Sequence, residues 1–233
     1  MMEEILRAGF EELGIAVTDA QLTQLQAFYR LLEEKNKVMN LTAIKGEADA
    51  ARLHFLDCGA LLKYLDLRGK TAADVGSGAG FPGLVLKILC PELELVSLDS
   101  LQKRIAFQSE AVEALGLQGV VPLAGRAEES AALRQRFDVV TSRAVAQLSI
   151  LTELCLPLVK VGGVFAAMKG PAPEQEVAAA AKGIAALGGG EPRIERYAVP
   201  GTDAVHSVVL IEKVRATPKA YPRRFAAIKK QPL

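Results

Sequence analysis

The stretch Asp74-Val75-Gly76-Ser77-Gly78-Ala79-Gly80-Phe81-Pro82-Gly83 carries the residue types and spacing best suited to chemistry. An apolar-leaning run ending in Thr71-Ala72-Ala73 precedes it, and the helical pattern Leu84-Val85-Leu86-Lys87-Ile88-Leu89 follows. That order predicts a strand, a glycine-rich turn and a helix start, with Pro82 suited to the first helical turn. Glycines here accept positive φ and let a ligand approach bare backbone, so the expected ligand is nucleotide-like. A purely structural strand–turn–helix unit is the alternative. The next predicted strand, Leu93–Leu98, ends in Asp99. An acid about 20 residues past the glycines is where a ribose diol is held, and it would serve equally as a helix N-cap.

Two cofactor classes compete for this loop. Gly78-x-Gly80-x-x-Gly83 is literally the dinucleotide fingerprint, which is unspecific on its own. The acid in Asp74-x-Gly76-x-Gly78-x-Gly80 instead resembles the first motif of class I S-adenosylmethionine-dependent methyltransferases. An adenosyl sulfonium has no pyrophosphate to cradle, so the loop need only pack against adenosine and the methionine part. The order of elements, five βα units and then a hairpin, and the lack of a Tyr-x-x-x-Lys pair count against a nicotinamide enzyme.

The elements that must position these residues follow from periodicity. Residues 2–13 and 19–35 read as helices, with Asp19 as a cap and Leu22, Leu25, Phe28, Tyr29 and Leu32 as a core stripe. A third helix runs from Glu47 through Tyr64 and places His54 and Asp57 on neighbouring positions. Beyond the glycine loop, helix Gln102–Leu115 is expected to turn Ile105, Ala106, Val112 and Leu115 inward. Strands at Gly119–Leu123, Phe137–Thr141 and Gly162–Met168 alternate with helices Leu148–Leu158 and Ala178–Leu187. Ile194–Val199 and Ser207–Val214 are close enough to pair as an antiparallel hairpin. The predicted fold class is α/β. It is a Rossmann-like class I methyltransferase core, with a mostly parallel seven-stranded sheet, a C-terminal antiparallel hairpin and N-terminal helices before it. Residues 1–45 are assigned to a helical segment packed on the core and 46–233 to the methyltransferase domain.

In open α/β sheets the ligand sits at the carboxyl ends of the strands, where strand order reverses. Those ends supply the 76–81 loop, Asp99, Ala127-Glu128, Ser142-Arg143 and Lys169. Asp99 would take the ribose hydroxyls, Ala127 and Glu128 would edge the adenine, Phe81 would pack nearby, and one of Glu128 and Glu129 would face solvent. Arg143 lies where a methyl acceptor should meet the cofactor, unless it is a salt bridge that fixes its loop. The fourth strand lacks the (Asp/Asn)-Pro-Pro-aromatic run of exocyclic-amine methylases, and Cys155 has no activating neighbour in sequence. A heterocyclic nitrogen with a free lone pair, such as guanine position 7, needs neither device, so no catalytic base is assigned. His54 is the tempting candidate for one, but a lone His in a Leu-rich helix is more often structural. His206, placed in the hairpin loop, reads as incidental, and neither has partners at metal-ligand spacing.

At 233 residues the chain suits one full α/β core. Net charge is +1, yet from Lys213 onward there are seven cations and no acid. Such a tail suggests a polyanion met at one place, or else a solvated, partly disordered terminus. Cys58, Cys90 and Cys155 are odd in number and widely spaced, which fits a reduced cytoplasmic protein without disulfide or zinc framework. No secretory leader or membrane span is expected, and nothing in the sequence demands a dimer.

With these residues placed, the sequence resembles the RsmG (GidB) family, bacterial methyltransferases of guanine-7 in small-subunit ribosomal RNA. The resemblance covers nearly the whole chain. It rests on Asn40-Leu41-Thr42-Ala43-Ile44, His54-Phe55-Leu56-Asp57, the loop 74–83, and Leu98-Asp99-Ser100 with Lys103-Arg104. It continues in Ser142-Arg143-Ala144, Lys169-Gly170 and Thr217-Pro218-Lys219-x-Tyr221-Pro222-Arg223-Arg224. It implies methyl transfer from S-adenosylmethionine to a guanosine in the 530 loop of 16S RNA, presented as RNA, small subunit or assembly intermediate. It also implies cofactor contacts at Gly76, Phe81, Ala127, Glu128 and Arg143, to which the loop chemistry adds Gly78, Gly80 and Asp99. Lys169, Arg223, Arg224 and His54 are the candidates for contact with substrate RNA. The tail departs from the family after Arg224, reading Phe225-Ala226-Ala227-Ile228-Lys229-Lys230-Gln231-Pro232-Leu233. A same-fold enzyme acting on a small molecule or protein, and an RNA-binding module without catalysis, are the rival readings.

Overall fold

Period-two alternation decides which side chains of each strand face which helical layer. In the computed structural model, which describes residues 1–233, seven strands form one sheet in the order β3-β2-β1-β4-β5-β7-β6. They are β1 (Thr71–Val75), β2 (Glu94–Asp99), β3 (Val120–Ala124), β4 (Phe137–Arg143), β5 (Val159–Lys169), β6 (Arg193–Ala198) and β7 (Val205–Glu212). β1 to β5 run parallel and β7 is antiparallel to both β5 and β6. Ala72, Val139, Ala166 and Leu210 enter one core, and their sequence neighbours Ala73, Val140, Ala167 and Ile211 enter the other. The α/β sheet and its C-terminal hairpin therefore match the predicted fold.

The first core is covered by α1 (Met2–Glu12), α2 (Asp19–Met39), the helical run 47–63 and α5 (Gly83–Leu89). Met2, Leu6 and Phe10 of α1 and Leu22, Leu25, Phe28 and Leu32 of α2 belong to the same buried cluster as Leu84, Val85 and Leu95. Thr18, not Asp19, caps α2, with Gln21 completing a reciprocal capping box. α6 (Gln102–Ala114) buries Ile105, Phe107, Gln108 and Ala111, leaving Ala106 exposed. Ile105 and Leu115 are buried and Val112 packs against the core as expected, so Ala106 alone departs, Phe107 taking the inward place beside it. On the opposite side lie α7 (Leu148–Cys155), α8 (Glu174–Ala186) and α9 (Phe225–Lys230).

The third helix is not a uniform α-helix. It runs α3 (Glu47–Ala50), a π-helical stretch Ala51–Leu56, α4 (Asp57–Gly59) and a 3-10 turn Ala60–Lys63. The π stretch contains His54, and such widened turns gather at functional sites. No helix is long and apolar enough to cross a membrane.

The tail is neither a free arm nor a disordered terminus. Lys213 is buried and donates to the Leu156 carbonyl at 2.5 Å and to Thr217. Arg134 clamps the carbonyls of Thr217, Pro218 and Tyr221. Ile228 is fully buried. These contacts make residues 213–233 a strap across the α7–α8 layer.

Candidate active site

Where β1 leaves the sheet, Gly76 and Ser77 donate their N–H groups to the Leu98 carbonyl of β2, hooking the loop over the neighbouring strand end. Gly76 adopts φ +72, and a Cβ there would lie 2.3 Å from Val145 Cγ2, so a side chain is excluded twice. Gly78 has φ +59, and a Cβ there would meet nothing within 4 Å, so conformation and not crowding calls for glycine and the space beside it stays open. Its N–H donates to Asp99 Oδ2 at 2.9 Å, and Gln108, buried on α6, holds Ser77 Oγ and the Gly78 carbonyl. Gln108 was not foreseen, because nothing local marks a helical Gln as a loop anchor. Asp99 also accepts from Leu101 N–H and Arg104. These bonds fix Asp99 at the end of β2, but it is not the helix N-cap that was expected: α6 is capped at Leu101, with no side-chain cap.

Asp74 is fully buried, accepts the Gly83 N–H through Oδ2 at 2.8 Å, and leaves Oδ1 unpartnered. Burial pushes its carboxyl up to about 7, against the pull of the Gly83 N–H and Arg143. Past β3, Ala127 is buried and Glu128 turns a nearly buried side chain inward, its Oε1 without a hydrogen bond, while Glu129 is exposed. Asp74 Oδ1 and Glu128 Oε1, the latter 3.7 Å from Arg126 Nη1, are thus buried carboxylate oxygens without a hydrogen bond, the kind of group that a polar ligand can satisfy.

Beside this region lies a second site, built around Arg143 at the end of β4. Arg143 Nη1 donates to the Leu53 carbonyl and to Asp57 Oδ2, each at 3.0 Å, and Nη2 donates to His54 Nδ1 at 2.8 Å. An arginine only donates, so His54 Nδ1 must be the acceptor and Nε2 carries the proton toward Thr42 Oγ1, 2.8 Å away. Burial, with Arg143 beside it, drives the His54 titration down to about 3, and the imidazole is neutral. Both its nitrogens are spent and it is 5 % exposed, so His54 neither acts as a base nor meets a substrate phosphate in this arrangement. Thr42 is itself fixed by two bonds with Asn36, which explains the Asn40-Leu41-Thr42 break after α2.

Asp57 ties the site together. Oδ2 pairs with Arg143, while Oδ1 accepts from Tyr197 at 2.8 Å and from His206 Nδ1 at 2.7 Å. The bonds and positive charge around Asp57 outweigh its burial and hold the carboxyl below its ordinary value. His206, read as an incidental loop residue, is instead on β7, paired across the hairpin with Tyr197. Phe81, expected beside an adenine, is 6 % exposed and stacks on His54 at 4.3 Å and Phe28 at 5.2 Å, with the Arg143 guanidinium over its ring. It is a wall between core and site.

Lys169 was expected to reach phosphates. It is held by Glu176 Oε2 at 2.7 Å and the Ala146 carbonyl at 2.8 Å, its charge already balanced. Arg223 was given the same role and is likewise committed, binding the buried Glu153 through Nε, Nη2 and its backbone N–H. Arg224 alone of these is exposed. Cys155 is fully buried, which pushes its thiol above the usual range and leaves it inert.

Strand order reverses between β1 and β4. The glycine loop, Asp99 and Glu128 stand on the β1–β3 side. A cleft of about 580 Å³ opens on the β4–β5 side, with Arg143, Met168, Lys169 and His206 in its lining. Two ligands meeting at this switch point is what the arrangement can accommodate.

The family described as "GidB: rRNA small subunit methyltransferase G" matches residues 21–199. This chain belongs to the GidB family. A "Ribosomal RNA small subunit methyltransferase G" of Clostridium botulinum (strain ATCC 19397 / Type A) is 42% identical over 233 residues, covering 98% of each chain. One of Lactobacillus johnsonii is 43% identical over 239 residues, with 100% of each covered. Among solved structures, a SAM-dependent methyltransferase from Aquifex aeolicus superposes with a TM-score of 0.51 at 22% identity, covering 70% of this chain and 93% of that one. That likeness shows the fold, a class I methyltransferase sheet, which the GidB chain carries with its helical N-terminus.

Proposed function

We propose that this protein transfers a methyl group from S-adenosylmethionine to the N7 nitrogen of a guanosine in the 530 loop of 16S ribosomal RNA. The observation that carries the reading is the split of the switch point into two sites in a GidB-family chain. An adenosine-suited loop lies on one side and an Arg143-lined cleft on the other. The residues fit the cofactor. Gly78 leaves open space beside the loop, and Glu128 keeps a buried oxygen that makes no hydrogen bond within the protein. Gly76, Gly78, Gly80, Asp99, Ala127 and Glu128 would hold it, with Phe81 and Arg143 closing the side toward the acceptor.

When bound, S-adenosylmethionine supplies a methyl group on a sulfonium, ready for attack by a lone pair. Guanine N7 has such a lone pair and no proton to lose, so the chain need only orient the two partners and exclude water. Positioning of that kind can supply on the order of 7–11 kcal/mol. Having both nitrogens of His54 committed suits a reaction without a base. Arg143, gripped by Asp57, His54 and Leu53, is a rigid floor for the acceptor base. A guanine stacked in a helix could not enter a cleft, so the base would come from single-stranded or opened RNA. The exposed cations Lys219, Arg224, Lys229 and Lys230 are the candidates for phosphate contact. The helical segment 1–45 would serve the 46–233 domain as its fixed flank. A cytoplasmic monomer acting on the small subunit or its precursor completes the reading.

Asp99→Ala is expected to weaken cofactor binding by about 1.5–3 kcal/mol, the scale of hydrogen bonds to charged groups. Isothermal calorimetry checks this, and unchanged affinity would take Asp99 out of the site. Transfer of labelled methyl to small-subunit particles from cells lacking this gene tests the reaction. Label confined to RNA is expected. Cofactor binding without label in RNA would turn attention to a small-molecule or protein acceptor.

A further inference from the structure

His206 has one nitrogen spent and one unspent. Its Nδ1 lies 2.7 Å from Asp57 Oδ1, and Asp57, paired with Arg143 and Tyr197, is an ionised carboxylate that only accepts. Nδ1 therefore carries a proton in every charge state. Nε2 makes no hydrogen bond within the protein, and His206 lines the cleft on the acceptor side of the switch point. Asp57 and Tyr197 hold the ring while leaving that nitrogen to an occupant. This is the geometry of an oriented imidazole, assembled from residues 149 positions apart.

We infer that His206 is a guanine-contacting residue whose neutral Nε2 accepts the N1–H of the target base. The inference rests on the methyltransferase reading above and adds to it the residue that distinguishes guanine from adenine. Guanine presents a donor at N1, whereas adenine presents an acceptor there, so an acceptor on the protein favours the first and repels the second. The neutral form is the competent one for an electrostatic reason. Methylation at N7 places positive charge on the purine. An imidazolium facing the ring would oppose that charge, while a neutral imidazole backed by the Asp57 carboxylate favours it.

The groups facing His206 are Asp57 from the third helical run, Arg143 from β4, Lys169 from β5 and Tyr197 from β6. The bond to Asp57 raises the His206 titration above that of an ordinary histidine, against burial and Arg143. Activity should therefore fall as pH drops through that raised value. Asp74, pushed up to about 7, is the other group titrating in the window, and a limb that belonged to it would survive changes at His206.

The test is the pH dependence of kcat/KM for methyl transfer to unmodified small-subunit particles, from about pH 5 to about pH 8. Wild type is compared with His206→Gln, His206→Asn and His206→Phe. Gln places an amide oxygen near the Nε2 position, whereas Asn reproduces only the Nδ1 donor to Asp57. His206→Gln is expected to lose the acid limb and keep the high-pH rate within about 10-fold, and His206→Asn and His206→Phe to fall by about 10-fold or more, the scale of one base-edge contact. Cofactor affinity should stay unchanged in all three. Rescue by Asn rather than Gln, or an acid limb that persists in His206→Gln, overturns the inference and makes His206 a strut for Asp57. Wild-type protein that transfers no methyl to RNA overturns the underlying reading instead.

Discussion

Asp57→Ala is expected to cost the fold about 3–5 kcal/mol, the penalty for leaving one partner of a buried ion pair behind. Asp57 is 3 % exposed and receives hydrogen bonds from Arg143, Tyr197 and His206. Without it, the Arg143 guanidinium stays between strand ends with only the neutral His54 and a carbonyl as partners. The Tyr197 hydroxyl loses its acceptor as well. Denaturant unfolding of the variant measures the loss, and a change below about 1 kcal/mol would show that water or a shifted side chain replaces the carboxylate. The pH dependence carries a sign on each side. The Asp57 carboxyl is held below its ordinary 3.8, so its contribution is present above that value and is lost as pH falls through the depressed one. His206 is raised above 6.5, so its contribution is present below 6.5 and is lost as pH rises through the raised value. The difference between wild type and Asp57→Ala should therefore be largest between about pH 4 and about pH 6.5.

Arg223→Ala should lower stability by about 3 kcal/mol, because it strands a carboxylate with no exposed surface. Glu153 on α7 takes the guanidinium through both oxygens and the Arg223 backbone N–H as well. That clasp is where the C-terminal strap is fastened. Arg224 next to it is exposed, so Arg224→Ala should leave stability within about 0.5 kcal/mol. If it touches a phosphate, the same change lowers RNA affinity and reduces the salt slope by about 1. Thermal unfolding and RNA binding at several salt concentrations separate the two neighbours. Equal stability loss in both variants, or none in Arg223→Ala, would contradict this division of labour.

The difference between those two arginines marks the limit of what the sequence reveals. A run of cations without acids looks like a surface for a polyanion when only local composition is visible. The partner that neutralises Arg223 lies 70 residues earlier in the chain, and Lys213 finds its carbonyl 57 residues away. The same holds at the site. The glycine loop, Asp99 and the strand ends could be placed because turn chemistry and alternation are local signals, and the sheet confirmed their order. The proximity of His54 and Asp57 on one helix was also visible. Their closure with Arg143 and with His206 on the last strand was not, since it depends on register across the whole sheet. The π-helical widening at Ala51–Leu56 likewise has no signature in the hydrophobic pattern.

Mapping the methylated nucleotide tests the central claim most directly. Small-subunit particles from cells lacking this gene would be incubated with the protein and S-adenosylmethionine, and the 16S RNA then cleaved by chemistry specific for 7-methylguanosine. The account predicts one new cleavage, at a guanosine of the 530 loop, that requires the protein and disappears in Arg143→Ala at matched cofactor occupancy. A methyl group found on an exocyclic amine, on a pyrimidine carbon or on a ribose, or no methylated nucleotide at all, would contradict it.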